Sequence, residues 1–275
     1  MCLENYTTKN KGGGEIIKLD RLISYSCLSA YEQCPYQWYL KYIEDRDDRT
    51  GNFYAHNGTL VHEVLEDVAN GVINIEDSAM EYLTRTEELY YPRLNKDTKE
   101  KVIGACLDFF TEYDFDIFDS YEIVGTELEV FFNIGDYHFR GFIDLLLKDG
   151  DGNYIVFDYK SSSYPLKRNG DVKKASEKTV DGYIRQAYFY AEGVKATFNS
   201  FPKSLNWLFF KDQKVMTIRF SEEKLEEVKK WALGVIGRIE NDIEFLATNT
   251  QENYFMCHQL CDYRENCEYL GDDDE

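Results

Sequence analysis

Asp144, Asp158 and Lys160 are the side chains whose types and spacing could do chemistry together. Asp158 and Lys160 are two residues apart, so on a β-strand they project from the same face. Asp144 lies on the preceding apolar run, with thirteen residues between it and Asp158. The two runs, His138–Lys148 and Tyr154–Lys160, flank Asp149-Gly-Asp-Gly-Asn153, the composition of a tight turn. Together they predict an antiparallel hairpin. If the register is right, Asp144 joins the other two. Most neighbouring positions are Ile, Leu, Val or Phe, a pattern of strands covered on both faces. Two carboxylates and a lysine among them are costly to bury without partners, and a divalent cation resolves that cost. A cation held by carboxylates lowers the pKa of bound water and neutralises developing negative charge.

Other residues have ligand chemistry. Cys257, Cys261 and Cys267 fall within eleven residues. In a reducing compartment such thiols indicate a metal or cluster rather than disulfides. Cys34 precedes Pro35 near the other end of the chain; alone it reads as a buried free thiol, the usual fate of a lone cysteine. Cys2, Cys27 and Cys106 are left over, and Cys27 is the substitute ligand. His62 sits on a segment, Asn57–Val68, whose apolar residues follow helical spacing. Its neutral imidazole is a competent metal ligand, and a surface or hydrogen-bonded side chain is the alternative. Glu63 and Glu66 read as solvated helix charges. Glu127 or Glu129, on the strand predicted over Val124–Ile134, approaches the site or faces outward. Gln186 and Tyr190 are four apart on a predicted helix, Val180–Phe198, and share its face.

Gly141-Phe-Ile-Asp144 followed by Asp158-Tyr-Lys160 is similar to the core motif of the PD-(D/E)XK nuclease superfamily. Gly58-x-x-x-His62, Gln186-x-x-x-Tyr190, the Cys34-Pro35 helix and the C-terminal cysteines resemble its RecB-like branch. That branch includes the iron–sulfur nucleases of CRISPR spacer acquisition and the AddB-type helicase–nucleases. The resemblance implies an α/β restriction-endonuclease-like core, a central mixed sheet flanked by helices, with a helical insertion and an iron–sulfur subdomain made from both chain ends. It implies Mg²⁺ or Mn²⁺ held by Asp144, Asp158, the Tyr159 carbonyl and His62. Lys160 would orient the nucleophile or stabilise the transition state, with Gln186 and Tyr190 positioning substrate or Lys160. Cys34, Cys257, Cys261 and Cys267 would hold a [4Fe–4S] cluster, with Zn²⁺ the alternative for four thiolates. The family more often has two residues inside the first C-terminal cysteine pair; here there are three. The implied reaction is hydrolysis of DNA phosphodiester bonds, by an exonuclease acting in recombination, repair or CRISPR-related processing. A helicase, a recombinase or a CRISPR integration complex is the implied partner. The rivals are a non-catalytic DNA-binding or scaffolding module and a zinc-bound interaction domain.

The elements that must position these residues are legible in outline. Ser24–Tyr42 reads as two helices, with Pro35 opening the second and Ser24 or Ser26 as N-cap. Ile16–Leu22 suggests a short strand. Residues 76–121 form the helical insertion, a packing subdomain or a lid. Leu205–Phe210 and Lys214–Phe220 are two further strands, and Ser221 opens a helix to about Leu246. The expected organisation is a flexible N-terminus over 1–15, subdomain portions at 16–56 and 247–270, the core at 57–246 and an acidic tail at 271–275. Ser161–Lys178 is the basic segment of an acidic chain. Lys167, Arg168, Lys173 and Lys174 there would grip a phosphodiester backbone from a mobile loop, or belong to an ordinary polar loop.

Composition bounds the rest. A chain of 275 residues with 43% hydrophobic and 16% aromatic content carries a sizeable core. No stretch of eighteen apolar residues exists, so no membrane helix is expected. The N-terminus lacks a signal-peptide pattern, which makes a cytoplasmic location the default, in a prokaryotic or phage-infected cell. No Walker-type run is present, so no motor is expected. A net charge of −20 opposes strong sequence-independent affinity for long duplexes.

Overall fold

The computed structural model describes residues 7–9, 15–19, 22–49, 51–91 and 94–270. The chain forms two compact units. One comprises Phe53–Val130 and Gly141–Ser221; the other comprises Met1–Asn52, Phe131–Arg140 and Glu222–Glu275.

The first unit is built on a five-stranded mixed sheet in the order β3-β4-β5-β6-β7, of which the β3–β4 turn end, Phe131–Arg140, is counted with the second unit. The strands are β3 (Glu122–Ile134), β4 (Tyr137–Lys148), β5 (Tyr154–Lys160), β6 (Ser204–Phe209) and β7 (Lys214–Arg219). The predicted hairpin is β4–β5, antiparallel from Leu145 opposite Phe157 to Lys148 opposite Tyr154. Asp149 shapes its turn: Oδ1 accepts from the Asp151 and Asn153 amides at 3.0 and 2.8 Å. Gly152 there takes φ +86°, a conformation open to glycine at no steric cost. β5 and β6 run parallel, which requires a crossover, and α7 (Glu177–Phe198) supplies it.

Both faces of β4 and β5 are covered, as the continuous apolar runs predict: Leu145, Leu146, Leu147 and Val156 are at most 1% exposed. One face packs on α3 (Phe53–Ala69) through Val61, Val64 and Leu65. The insertion supplies α4 (Ser78–Thr86), α5 (Lys96–Glu112) and α6 (Ile117–Ser120). Its Tyr82, Cys106, Phe109 and Phe110 join that same core. A buried polar chain ties these helices: Tyr82 OH donates to Asn57 Oδ1 at 2.7 Å, and Asn57 Nδ2 donates to Cys106 Sγ at 3.3 Å.

The second unit holds β1 (Thr7–Lys9) paired with β2 (Glu15–Ile17), α1 (Tyr25–Gln33), α2 (Pro35–Tyr42) and α8 (Glu222–Asn241). Ser24 is the N-cap of α1; its hydroxyl accepts from the Cys27 amide at 3.2 Å. Trp38, fully buried, stacks on Phe245 at 5.5 Å between centroids. α8 stops at Asn241, short of the expected Leu246. Asp242 Oδ1 takes the Glu244 and Phe245 amides, and Phe245 turns to φ +47°. The expected strand over Ile16–Leu22 is shorter: β2 ends at Ile17, and Ile23 makes a single bridge to Phe139. Of the segment expected to be flexible, Thr7–Lys9 pairs with β2. Most of residues 1–15 and the acidic tail 271–275 lie outside the described residues. Among the described residues, no helix is long and apolar enough to cross a membrane.

Candidate active site

Asp158 and Lys160 alternate with Phe157 and Tyr159 along β5. Phe157 and Tyr159 face the core under α3, so Asp158 and Lys160 point to the face where α7 lies. Asp158 is 1% exposed and forms an ion pair with Lys160 through Oδ2 and Nζ. Beyond the Leu145–Phe157 rung of the hairpin, the Asp144 carboxylate takes a backbone donor: Tyr159 N donates to Asp144 Oδ2 at 2.7 Å. That bond fixes one carboxylate beside the other. The structure therefore brings Asp144, Asp158 and Lys160 together.

His62 comes from α3. Its Nε2 is 3.2 Å from the Tyr159 carbonyl oxygen, and its ring meets that of Tyr159 edge-on. A carbonyl only accepts, so Nε2 carries the proton in a neutral ring. Burial pushes the His62 pKa down, favouring that neutral form. Nδ1 then presents a lone pair to Asp144 Oδ2 at 3.5 Å and Glu127 Oε1 at 4.0 Å. The ligand atoms of His62, Glu127 and Asp144 lie within 4.8 Å of one another. Three acceptors converging, with only the Tyr159 amide donating among them, fit a cation.

The electrostatics agree. Burial, then the charge of Asp158, pushes the Asp144 pKa well up. Burial, then Glu66 and Asp158, pushes Glu127 up. Burial alone would lower Lys160, but Asp158 and Asp144 outweigh it and raise its pKa. The group is a concentration of negative charge with one ammonium, in surroundings of low dielectric.

From α7, Gln186 Oε1 accepts from Lys160 Nζ at 2.9 Å, and Gln186 Nε2 donates to Tyr190 OH at 2.7 Å. The Tyr190 ring lies against β4 at Gly141, where a Cβ would sit 3.4 Å from Tyr190 Cδ1, an ordinary contact distance. A cleft of about 530 Å³ opens beside His62, lined by Gly58, Glu63, Glu66, Glu127 and Ser161. Glu63 and Glu66, read from sequence as solvated charges, thus line it. Glu129 is exposed, and Glu127 is the strand glutamate that reaches the site. Glu127 takes φ +42° within β3, which breaks the alternation of that strand. No local signal in the sequence marks that conformation. Glu66 had one: it stands four residues after His62, hence on the same helix face.

Lys167, Arg168, Lys173 and Lys174 are exposed, on a segment closed by a Leu166–Val172 bridge. Lys173 Nζ donates to the Tyr164 carbonyl at 2.6 Å.

The cysteines gather in the second unit. Cys34 joins α1 to α2, its Sγ accepting from the Gln37 amide at 3.4 Å and Pro35 opening α2. Cys257 lies within a π-helical turn, Met256–Leu260, and Cys261 follows it, closing the turn by donating its N–H to Met256 O at 2.8 Å. Cys34, Cys257, Cys261 and Cys267 line one pocket. Cys27 instead receives the Trp38 indole N–H at 3.4 Å.

Comparison with known proteins agrees with this geometry. Residues 22–268 match the model of the PD-(D/E)XK nuclease superfamily. The chain is similar in fold to a crystal structure of a candidate exonuclease from Eubacterium rectale. That similarity has a TM-score of 0.55 at 11% identity, over 91% of this chain and 90% of that one. SSO0001 is more distant, at a TM-score of 0.36 and 13% identity over 92% of this chain and 88% of that one. No curated protein matches. The match over most of its length, on a mixed sheet that joins two aspartates, a lysine and a histidine, makes this chain a member of the PD-(D/E)XK nuclease superfamily, a nuclease that hydrolyses phosphodiester bonds.

Proposed function

We propose that this chain is a metal-dependent DNA exonuclease whose site is Asp144, Asp158, Lys160, His62, Gln186 and Tyr190. The observation that carries the reading is the convergence of two buried carboxylates and a half-buried ammonium on adjacent strands. Asp144, Asp158, His62, the Tyr159 carbonyl and Glu127 would hold Mg²⁺ or Mn²⁺. The bound ion would supply an activated water and offset charge on the phosphate. Lys160, held by Asp158 and Gln186, keeps its ammonium aimed and charged, so it stabilises negative charge as it develops. Tyr190 fixes Gln186, and Gln186 fixes Lys160. Gly58 keeps the cleft wall free of a side chain above Ser161. Lys167, Arg168 and Lys174 would meet backbone phosphates; Lys173 donates to the Tyr164 carbonyl.

The cysteine pocket is read as a [4Fe–4S] site, a structural staple joining segments 16–56 and 247–270. Four thiols lining one pocket support a shared site, and Zn²⁺ is the alternative occupant. The π turn absorbs the extra residue between Cys257 and Cys261, so both cysteines line the pocket. DNA ends are the proposed substrate, with a helicase, recombinase or CRISPR integration complex as partner, in the cytoplasm.

The test is digestion of end-labelled single- and double-stranded DNA with Mn²⁺, read for direction, beside Asp158→Ala and Lys160→Ala. Cleavage from the ends that both substitutions abolish is expected. Wild-type rates in both variants refute the site, and internal cuts refute the exonuclease assignment. Anaerobic purification that gives colourless, zinc-loaded protein refutes the cluster.

A further inference from the structure

Lys160 Nζ has a third neighbour besides Asp158 and Gln186: it lies 4.6 Å from the centre of the Tyr183 ring. An ammonium has three N–H bonds and no lone pair. The ammonium donates to the Gln186 amide oxygen and pairs with the Asp158 carboxylate; its third side is left the aromatic face. Tyr183 stands three residues before Gln186 on α7, so the two reach Lys160 from one helix face. The ring is itself held. Its hydroxyl shares a 2.7 Å hydrogen bond with Ser162 Oγ, and the Phe209 ring lies 6.1 Å away.

We propose that Tyr183 is a positioning residue, whose ring holds the third N–H of Lys160 in a soft contact that the reacting phosphate displaces. This rests on the reading of Lys160 as the charge-stabilising group. A carboxylate in that place would cancel the ammonium charge and would have to be broken from a charge-assisted hydrogen bond. An aliphatic side chain would leave the ammonium without its third contact, in a side chain only 13% exposed to water. An aromatic face is neutral, attracts the cation and yields easily to an oxygen anion.

The test uses the intact chain with Mn²⁺ and bis(p-nitrophenyl) phosphate, a diester too small to report on strand binding. Position 183 is varied through Phe, Leu and phenylalanines of increasing fluorination, which withdraw density from the face while keeping the ring shape. Tyr183→Phe stays within about twofold of wild type. Tyr183→Leu lowers kcat about fivefold with KM unchanged, and the heavily fluorinated rings approach that value. Should Tyr183→Leu fail to fold, the isosteric fluorinated series decides alone. Independently of activity, ring current shifts the Lys160 ε-methylene resonances upfield in wild type and Tyr183→Phe. A kcat that is flat across the fluorinated series, or Lys160 resonances unshifted in wild type, overturns the proposal. A wild-type chain inert toward this diester and toward DNA removes instead the reading of Lys160 on which it stands.

Discussion

At the scale of residues, the site is held against its own electrostatics. Asp144, Asp158 and Glu127 share a region where burial raises the pKa of both Asp144 and Glu127, and Lys160 is the half-buried cation among them. A carboxyl with a raised folded pKa binds its proton more readily in the folded than in the unfolded chain. Its destabilisation is therefore full above the raised pKa and is relieved as pH falls toward the ordinary carboxylate range. Asp144→Asn removes that charge yet keeps an acceptor for the Tyr159 amide. Without metal it should melt above wild type at neutral pH, and the gap should close as pH falls. A gap that stays constant from neutral pH to pH ~4.5 counts against the charge crowding described. Excess Mn²⁺ should raise the Tm of wild type and leave that of Asp144→Asn nearly unchanged, since ligand bound only to the folded state stabilises it.

At the scale of elements, two backbone details carry the geometry. Gly193 of α7 packs on β3 so closely that a Cβ would lie 2.2 Å from Val130 Cγ2 and 2.7 Å from Val130 Cβ. Val130 is β-branched and nearly fully buried, so it has little room to yield. Gly193→Ala should cost about 1–3 kcal/mol in urea unfolding. Val130→Ala in the same chain should recover part of that loss, because it removes the Cγ2 contact and keeps the Cβ one. Additive losses in the double variant would show that the contact is not the cause. Glu127 pays for its place with φ +42°. Glu127→Gly should therefore be about 1 kcal/mol more stable than Glu127→Ala, since glycine adopts that conformation without strain. Both should lose Mn²⁺ affinity alike, as measured by calorimetry; equal stabilities would show that the strain is absent in solution.

At the scale of the whole molecule, charge is the governing fact. A net charge of −20 leaves little general attraction for a polyanion. The five exposed basic residues of Ser161–Lys178, at 167, 168, 173, 174 and 178, bound the counterions that a strand bound there can release. With about 0.7 counterions per phosphate contact, log Kd against log salt should have a slope no steeper than about 3.5. Lys167→Ala with Arg168→Ala should flatten it by about 1.4. A steeper slope, or one unchanged by the double substitution, would place the electrostatic footprint elsewhere.

Much of this protein was legible before any coordinates. Alternation and the Asp149–Asn153 turn residues specify the β4–β5 hairpin, and with it the shared face of Asp158 and Lys160, because side-chain direction on a strand follows from parity alone. Helical spacing put Gln186 and Tyr190 on one face, and Ser24 and Pro35 marked the starts of α1 and α2, because caps and periodicity are local properties. Tertiary structure decided the rest. Which strand glutamate reaches His62 depends on one left-handed residue inside β3, a conformation no local preference favours. Whether Glu66 is solvated or lines a cleft depends on what packs across from α3. The place of Tyr183 beside Lys160 needs α7 to cross over between parallel strands. Contacts between residues distant in sequence are set by packing, and packing is a property of the folded chain, whereas periodicity and turn chemistry are written in neighbouring residues.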